Sequence, residues 1–165
     1  MAAGIRPLGF ARDATHAPED LEALYQLDQK CYPPGIAYSR REMKWYLRLP
    51  GADCLVAEQD AALAGFIVTE RESDLGHIIT LDVAEEQRRQ GLGTALLAAA
   101  EARMFAAGVR QVCLETATDN QAAVAFWQKH GYRTQGVLKD YYMDKLDAYE
   151  MRKVLSAKGA DSLRG

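Results

Sequence analysis

The spacing of apolar residues changes several times along the chain, and each change predicts an element. Residues 4–10 read as a first strand, which Pro7 would confine to a sheet edge. Pro18, then Leu21, Leu24, Tyr25 and Asp28, give the 3.6-residue period of an amphipathic helix reaching about residue 30. A loop with Pro33, Pro34 and Gly35 follows. Ser39 and Glu42 stand in capping-box spacing and open a second helix, with Met43, Tyr46 and Leu47 on its face and Pro50 as its stop. Residues 54–58 and 63–70 are strands joined by a short turn, a hairpin signature. Residues 77–83 form another strand, where His77, Ile79, Leu81 and Val83 alternate with Ile78, Thr80 and Asp82.

In the second half, Gly91 and Gly93 open a long helix to residue 107, with Leu96, Leu97, Ala100, Met104 and Ala107 on one side and Gly108 at its end. A strand over 111–116, a helix over 120–130 stopped by Gly131, and strands over 132–138 and about 149–155 complete the pattern. Strands interleaved with helices and one strand hairpin predict an α/β fold, a single domain with a mixed sheet flanked by helices. No repeat or low-complexity linker divides the 165 residues, a length that buries a core without metals or disulfides. Residues 156–165 lose the apolar pattern and are expected to fray.

Composition narrows the function classes. Lys and Arg number 20 against 23 Asp and Glu, a net charge of −3, which argues against a general nucleic-acid binder. No stretch approaches the roughly 20 apolar residues of a membrane span, and the start lacks the apolar core of a signal peptide. Cys31, Cys54 and Cys113 are too few and too scattered for a disulfide framework or a metal knuckle, so buried free thiols in a reducing cytoplasm are expected. His16, His77 and His130 lack metal-ligand spacing and read as packing or surface residues.

The chemistry concentrates in Arg88-Arg89-Gln90-Gly91-Leu92-Gly93-Thr94, between a strand and a helix. Glycines let the backbone approach a ligand, and the unpaired N–H groups and dipole of the helix start favour an anion. The segment lacks the Gly-Lys-Ser/Thr of a P-loop, and Leu96 breaks the dinucleotide pattern.

Read as Arg-x-x-Gly-x-Gly, the segment resembles the acetyl-CoA pyrophosphate motif of the GCN5-related N-acetyltransferase (GNAT) superfamily. Ile79-Thr80-Leu81-Asp82-Val83 before it, and Leu114-Glu115-Thr116, Asn120, Ala125-Phe126-Trp127 and Gly131-Tyr132 after it, extend the resemblance over residues 21–155. The likeness implies an N-acetyltransferase domain over 1–155, with acetyl-CoA as cosubstrate and an amine as acceptor. It implies coenzyme contacts from Leu81, Val83, Asn120 and Trp127 besides residues 88–94, and an oxyanion donor near Val83. Tyr32-Pro33-Pro34, Tyr38-Ser39, and Tyr141-Tyr142 with Asp147-Ala148 and Met151 are most similar to the protein N-terminal acetyltransferase subgroup, of the ribosomal-protein-alanine type. There Tyr38, Tyr141 and Tyr142 would frame a peptide amino terminus, although Ile36 and Ala37 alter the loop.

An α-amine is mostly protonated at neutral pH, so transfer needs a base. The resemblance places it at Glu115, which shares a strand face with Cys113, opposite Val112, Leu114 and Thr116. Trp127 stands where the family has a tyrosine acid, and indole does not titrate usefully. Three outcomes are open: Tyr141 or Tyr142 (Tyr142 is the candidate carried forward) protonates the leaving thiolate, water does, or the chain binds acyl-CoA without turnover. A small-molecule amine, such as a polyamine, amino acid or aminoglycoside, is the alternative acceptor.

Overall fold

The structure, a computed structural model, describes residues 3–8 and 18–157. In chain order the elements are β1 (Gly4–Pro7), α1 (Pro18–Cys31), α2 (Arg40–Leu47), β2 (Ala52–Gln59), β3 (Ala62–Glu72), β4 (Leu75–Val83), α3 (Leu92–Ala106), β5 (Gln111–Ala117), α4 (Gln121–Lys129), β6 (Arg133–Tyr142) and β7 (Leu146–Val154). The strands form one mixed sheet in the order β1-β2-β3-β4-β5-β7-β6. Helices cover both faces, as the α/β reading requires. One core layer joins Leu24, Leu27, Met43 and Leu47 of α1 and α2 to Cys54, Val56, Phe66 and Val68. The opposite layer joins Leu96, Leu97, Ala100 and Met104 of α3 and Trp127 of α4 to Leu55, Ile67, Ile78, Val112, Leu114 and Met151.

Local signals set several boundaries. Ser39 Oγ accepts the Glu42 N–H at 3.1 Å, and Glu42 Oε2 accepts the Ser39 N–H at 2.8 Å, so the capping box forms as the spacing requires. The β2–β3 hairpin turns on Asp60 and Ala61, both at positive φ, and its strands extend beyond the predicted 54–58 and 63–70. β1 with its Pro7 lies at the sheet edge; residues 9 and 10 of the expected first strand, and 158–165 of the expected tail, fall outside the described residues. β6 runs to Tyr142 rather than 138, and β7 begins at Leu146 rather than 149, because the two strands pair across the tight segment between them.

The strict alternation expected over 77–83 does not hold. Thr69 pairs with Ile78 and Val68 with Thr80, which leaves Ile79 as an extra residue in β4. Such a bulge bends the strand and reverses the facing of everything beyond it. Ile79 therefore packs toward α1 and α2, while Leu81 and Val83 pack toward α3 and α4. The parallel β4–β5 pairing spans only Leu75, Gly76 and His77 against Gln111, Val112 and Cys113. Past that point the two central strands diverge, and a cleft opens in the middle of the sheet.

Candidate active site

The cleft holds a cavity of about 370 Å³. Ile79, Leu81, Leu114, Glu115 and Thr116 from the parted strands line its centre. Tyr32, Pro33 and Tyr38 from the α1–α2 loop, Tyr46 of α2, and Tyr141 and Tyr142 at the end of β6 line one side; Asn120, Ala123 and Trp127 line the other. Leu81, Glu115, Asn120, Trp127, Tyr38, Tyr141 and Tyr142, drawn from both halves of the sequence, thus meet around one space.

Glu115 does not stand alone there. His77 Nε2 lies 2.6 Å from Glu115 Oε2, with both side chains partly open to the cavity. Val112 and Leu114 are buried on the α3 face, so Cys113 and Glu115 point the other way, and the β4–β5 pairing brings His77 alongside Cys113. The sequence reads His77 as a packing or surface residue; in the structure it is partly buried and faces the cavity beside Glu115. Its proximity to Glu115 depends on a parallel pairing between strands 38 positions apart.

The aromatic wall is fixed by hydrogen bonds to the open edge of β4. The Tyr32 hydroxyl donates to Leu81 O at 2.9 Å, and the Tyr38 hydroxyl to Ile79 O at 3.3 Å. Tyr38 and Tyr46 meet edge to face at 5.1 Å, and Tyr141 and Tyr142 at 4.9 Å with perpendicular rings. Burial, reinforced by Glu115, pushes the Tyr141 phenol up to about 12. Burial, then Tyr141 and Glu115, also raises that of Tyr142. Both phenols keep their protons at neutral pH and present O–H donors to the cavity. A Cβ on Gly35 would stand 3.1 Å from Met143 Cβ, so the α1–α2 loop and the β6–β7 connection touch over this side.

Residues 88–94 lie just beyond the parted end of β4. Gly91 has φ of +81 and Arg89 φ of +64, so the chain makes a left-handed turn into α3. A Cβ on Gly93 would fill the gap between the Phe126 ring, at 3.5 Å, and Val83 Cγ2, at 3.7 Å. The first helical bond joins Ala95 N–H to Gly91 O at 3.0 Å, which leaves Leu92, Gly93 and Thr94 with N–H groups free of intrahelical partners. A diphosphate fits these donors, and a slender arm fits the gap beside Gly93. The side chains of this segment are individually placed. Arg88 Nε donates to Val83 O at 3.1 Å, Gln90 Nε2 donates to Glu86 O at 3.0 Å, and Thr94 Oγ1 meets His130 Nε2 at 3.0 Å. Asn120 caps α4, its Oδ1 accepting the Ala123 N–H at 3.1 Å. Trp127, 8% exposed, packs edge to face on Phe126 and Tyr132 with part of its ring on the cavity.

The family model described as acetyltransferase (GNAT) family matches residues 21–132. The chain belongs to the GNAT acetyltransferase family. As such it is an acetyl-CoA-dependent N-acetyltransferase: acetyl-CoA is its cosubstrate and an amine its acceptor. This GNAT enzyme is 33% identical over 144 residues to an uncharacterized N-acetyltransferase of Methanocaldococcus jannaschii, covering 86% of this chain and 90% of the relative. It is 30% identical over 150 residues to the catalytic subunit of the N-terminal acetyltransferase A complex of Arabidopsis thaliana, covering 85% and 76%. Among solved structures, Ard1 of Thermoplasma volcanium superposes with a TM-score of 0.82 at 27% identity, over 94% of this chain and 99% of that one. Among the described residues no helix is long and apolar enough to cross a membrane.

Proposed function

We propose that this enzyme acetylates the α-amine of a polypeptide N-terminus, with Glu115 and His77 removing the proton. The observation that carries the reading is the His77–Glu115 pair at the floor of a vestibule walled by tyrosines. An amine entering between Tyr38 and Tyr142 shares the cavity with the pair. Among the cavity-lining residues only Glu115 and Asp119 are acidic. A polyamine, with several ammonium groups to pair, would find Asp119 and one carboxylate already engaged by His77. A single ammonium followed by an extended chain without further charge suits such walls better. Relatives named for N-terminal acetylation support the same acceptor class.

In this reading the N–H groups of residues 92–94 hold the coenzyme diphosphate, and Gly91 and Arg89 shape the turn. Leu81 and Val83 flank the arm, with Asn120 and Trp127 on its other side. Acetyl-CoA supplies a thioester carbonyl at the parting of β4 and β5. The amine nitrogen bonds to that carbon, its proton passes to the His77–Glu115 pair, and the carbon–sulfur bond breaks. Backbone N–H near Val83 receives the negative charge on the carbonyl oxygen. Trp127 supplies no proton; the thiolate takes one from water or through the Tyr142 hydroxyl.

The test offers acetyl-CoA with peptides bearing free or blocked N-termini, and with polyamines and aminoglycosides, while following thiol release. Free-ended peptides should gain one acetyl group on the α-nitrogen, located by fragmentation mass spectrometry, and blocked ones none. Faster turnover of a small amine would overturn the peptide reading.

A further inference from the structure

Behind the vestibule wall, two carboxyl groups meet inside the protein. Asp28, near the end of α1, is 0% exposed, and Asp82, near the end of β4, is 1% exposed. Asp28 Oδ2 accepts the Tyr38 N–H at 2.7 Å, and Asp82 Oδ1 accepts the Thr80 hydroxyl at 2.6 Å. The remaining oxygens, Asp28 Oδ1 and Asp82 Oδ2, are buried and have no hydrogen-bond partner among the described residues. The two carboxyl groups are neighbours. Ionised carboxylates only accept, so a proton held between them would satisfy both orphaned oxygens.

The surroundings do not neutralise the pair by other means. Facing it are Cys31 and Tyr32 at the end of α1, Glu42 of α2, Cys54 of β2 and Arg88 ahead of α3. Arg88, the cation among them, directs its guanidinium to Val83 O and Cys31 Sγ. Two adjacent negative charges in such a place would be expelled or protonated. The pair also joins two working parts of the enzyme. Asp28 holds the loop backbone at Tyr38, while Asp82 lies in β4 between Leu81 and Val83, where Tyr32 and Tyr38 are also fastened.

We propose that Asp28 and Asp82 are positioning residues that share one proton, and that this acid pair clamps the acceptor loop to β4. The loop then keeps Tyr32 and Tyr38 at the height where the amine meets the thioester. The acceptor part rests on the function proposed above; the shared proton does not. Burial raises both groups above the ordinary aspartate range, and the neighbouring Asp28 raises Asp82 further. In the unfolded chain both ionise above about pH 4. The stability tied to this proton is therefore complete below about pH 4 and is lost as pH rises through the folded-state value.

The full chain and its D28N and D28A variants test this. In D28N the side-chain amide still accepts from the Tyr38 N–H through its oxygen and donates to Asp82 through its nitrogen, without a proton to lose. Between about pH 5 and about pH 9 the wild-type Tm should fall relative to that of D28N. D28N should keep the acceptor-peptide KM within about twofold, and D28A should raise it about tenfold with unchanged acetyl-CoA Kd. Parallel Tm curves would overturn the shared proton, and an unaltered KM in D28A would overturn the positioning role. Infrared spectra of the wild type decide the first point even if D28N does not fold. A neutral-carboxyl band persisting at about pH 7 is expected, and its absence would overturn the pair. If no peptide is acetylated, the proposed acceptor fails while the Tm and infrared results still decide the proton.

Discussion

At the scale of single residues, the site combines one group the chain advertises and one it conceals. Glu115 sits in a motif; His77 emerges only when β4 and β5 are laid side by side, because nothing local distinguishes it from any histidine on a strand. Their 2.6 Å contact makes them one proton-accepting unit. Glu115→Gln should lower kcat by about 10² or more with little change in acetyl-CoA Kd, since acid–base groups act on the reacting proton. His77→Ala should cost a similar factor, and the double variant should lose little beyond either single one, as expected of residues acting as a unit. Steady-state rates with binding measured by calorimetry check this, and additive losses would separate the two residues. Trp127 gives the contrasting case. It packs on Phe126 and Tyr132, so Trp127→Phe should lower stability by roughly 1 kcal/mol or more through lost packing. It should leave kcat within about threefold, because indole offers no titrating proton. A large fall in kcat with coenzyme binding intact would return Trp127 to the chemistry.

The elements show why some of this was legible and some was not. The Ser39–Glu42 box, the edge position that Pro7 dictates, the hairpin and the glycine turn into α3 are each written in a few adjacent residues, and each forms. The bulge at Ile79 is marked only by two adjacent isoleucines, Ile78 and Ile79, which a strand covered on both faces also accommodates. Only pairing with β3 reveals the extra residue. The same holds for β7, which inserts between β5 and β6 by contacts between distant segments. Bulge and short parallel pairing together open the cleft, so the motifs were readable while the space between them was not. The glycine turn permits a direct test at this scale. Gly91 has φ of +81 and no atom within 4 Å of a Cβ placed on it. Gly91→Ala therefore meets no clash and pays only for the left-handed backbone, about 1–2 kcal/mol. If the turn relaxes to relieve that strain, the N–H groups of residues 92–94 lose their common aim. Acetyl-CoA Kd should then rise about tenfold or more, while the KM of the acceptor stays near wild type. Equal Kd values in isothermal titration would show that these donors do not hold the diphosphate.

For the whole molecule, the decisive property is that the cleft passes through the sheet rather than into it. Tyrosines from the α1–α2 loop, α2 and β6 border it on one side, and α4 with the turn into α3 on the other, so amine and coenzyme can approach from opposite faces and meet between β4 and β5. Direct transfer in a ternary complex follows unless the protein first takes the acetyl group itself. The available nucleophiles are poor ones. Cys31 lines the cavity, but burial and the Asp82 charge push its thiol up to about 11. Burial and then Glu115 also raise Cys113, on the acceptor side. Little thiolate exists at neutral pH in either place, and the thiolate is the form that attacks. Initial rates with both substrates varied should therefore give intersecting double-reciprocal lines, and Cys31→Ser with Cys113→Ser should keep kcat within about threefold of wild type. Parallel lines, or an acetylated enzyme trapped from acetyl-CoA alone, would mean that the two faces of the cleft are used in turn rather than together.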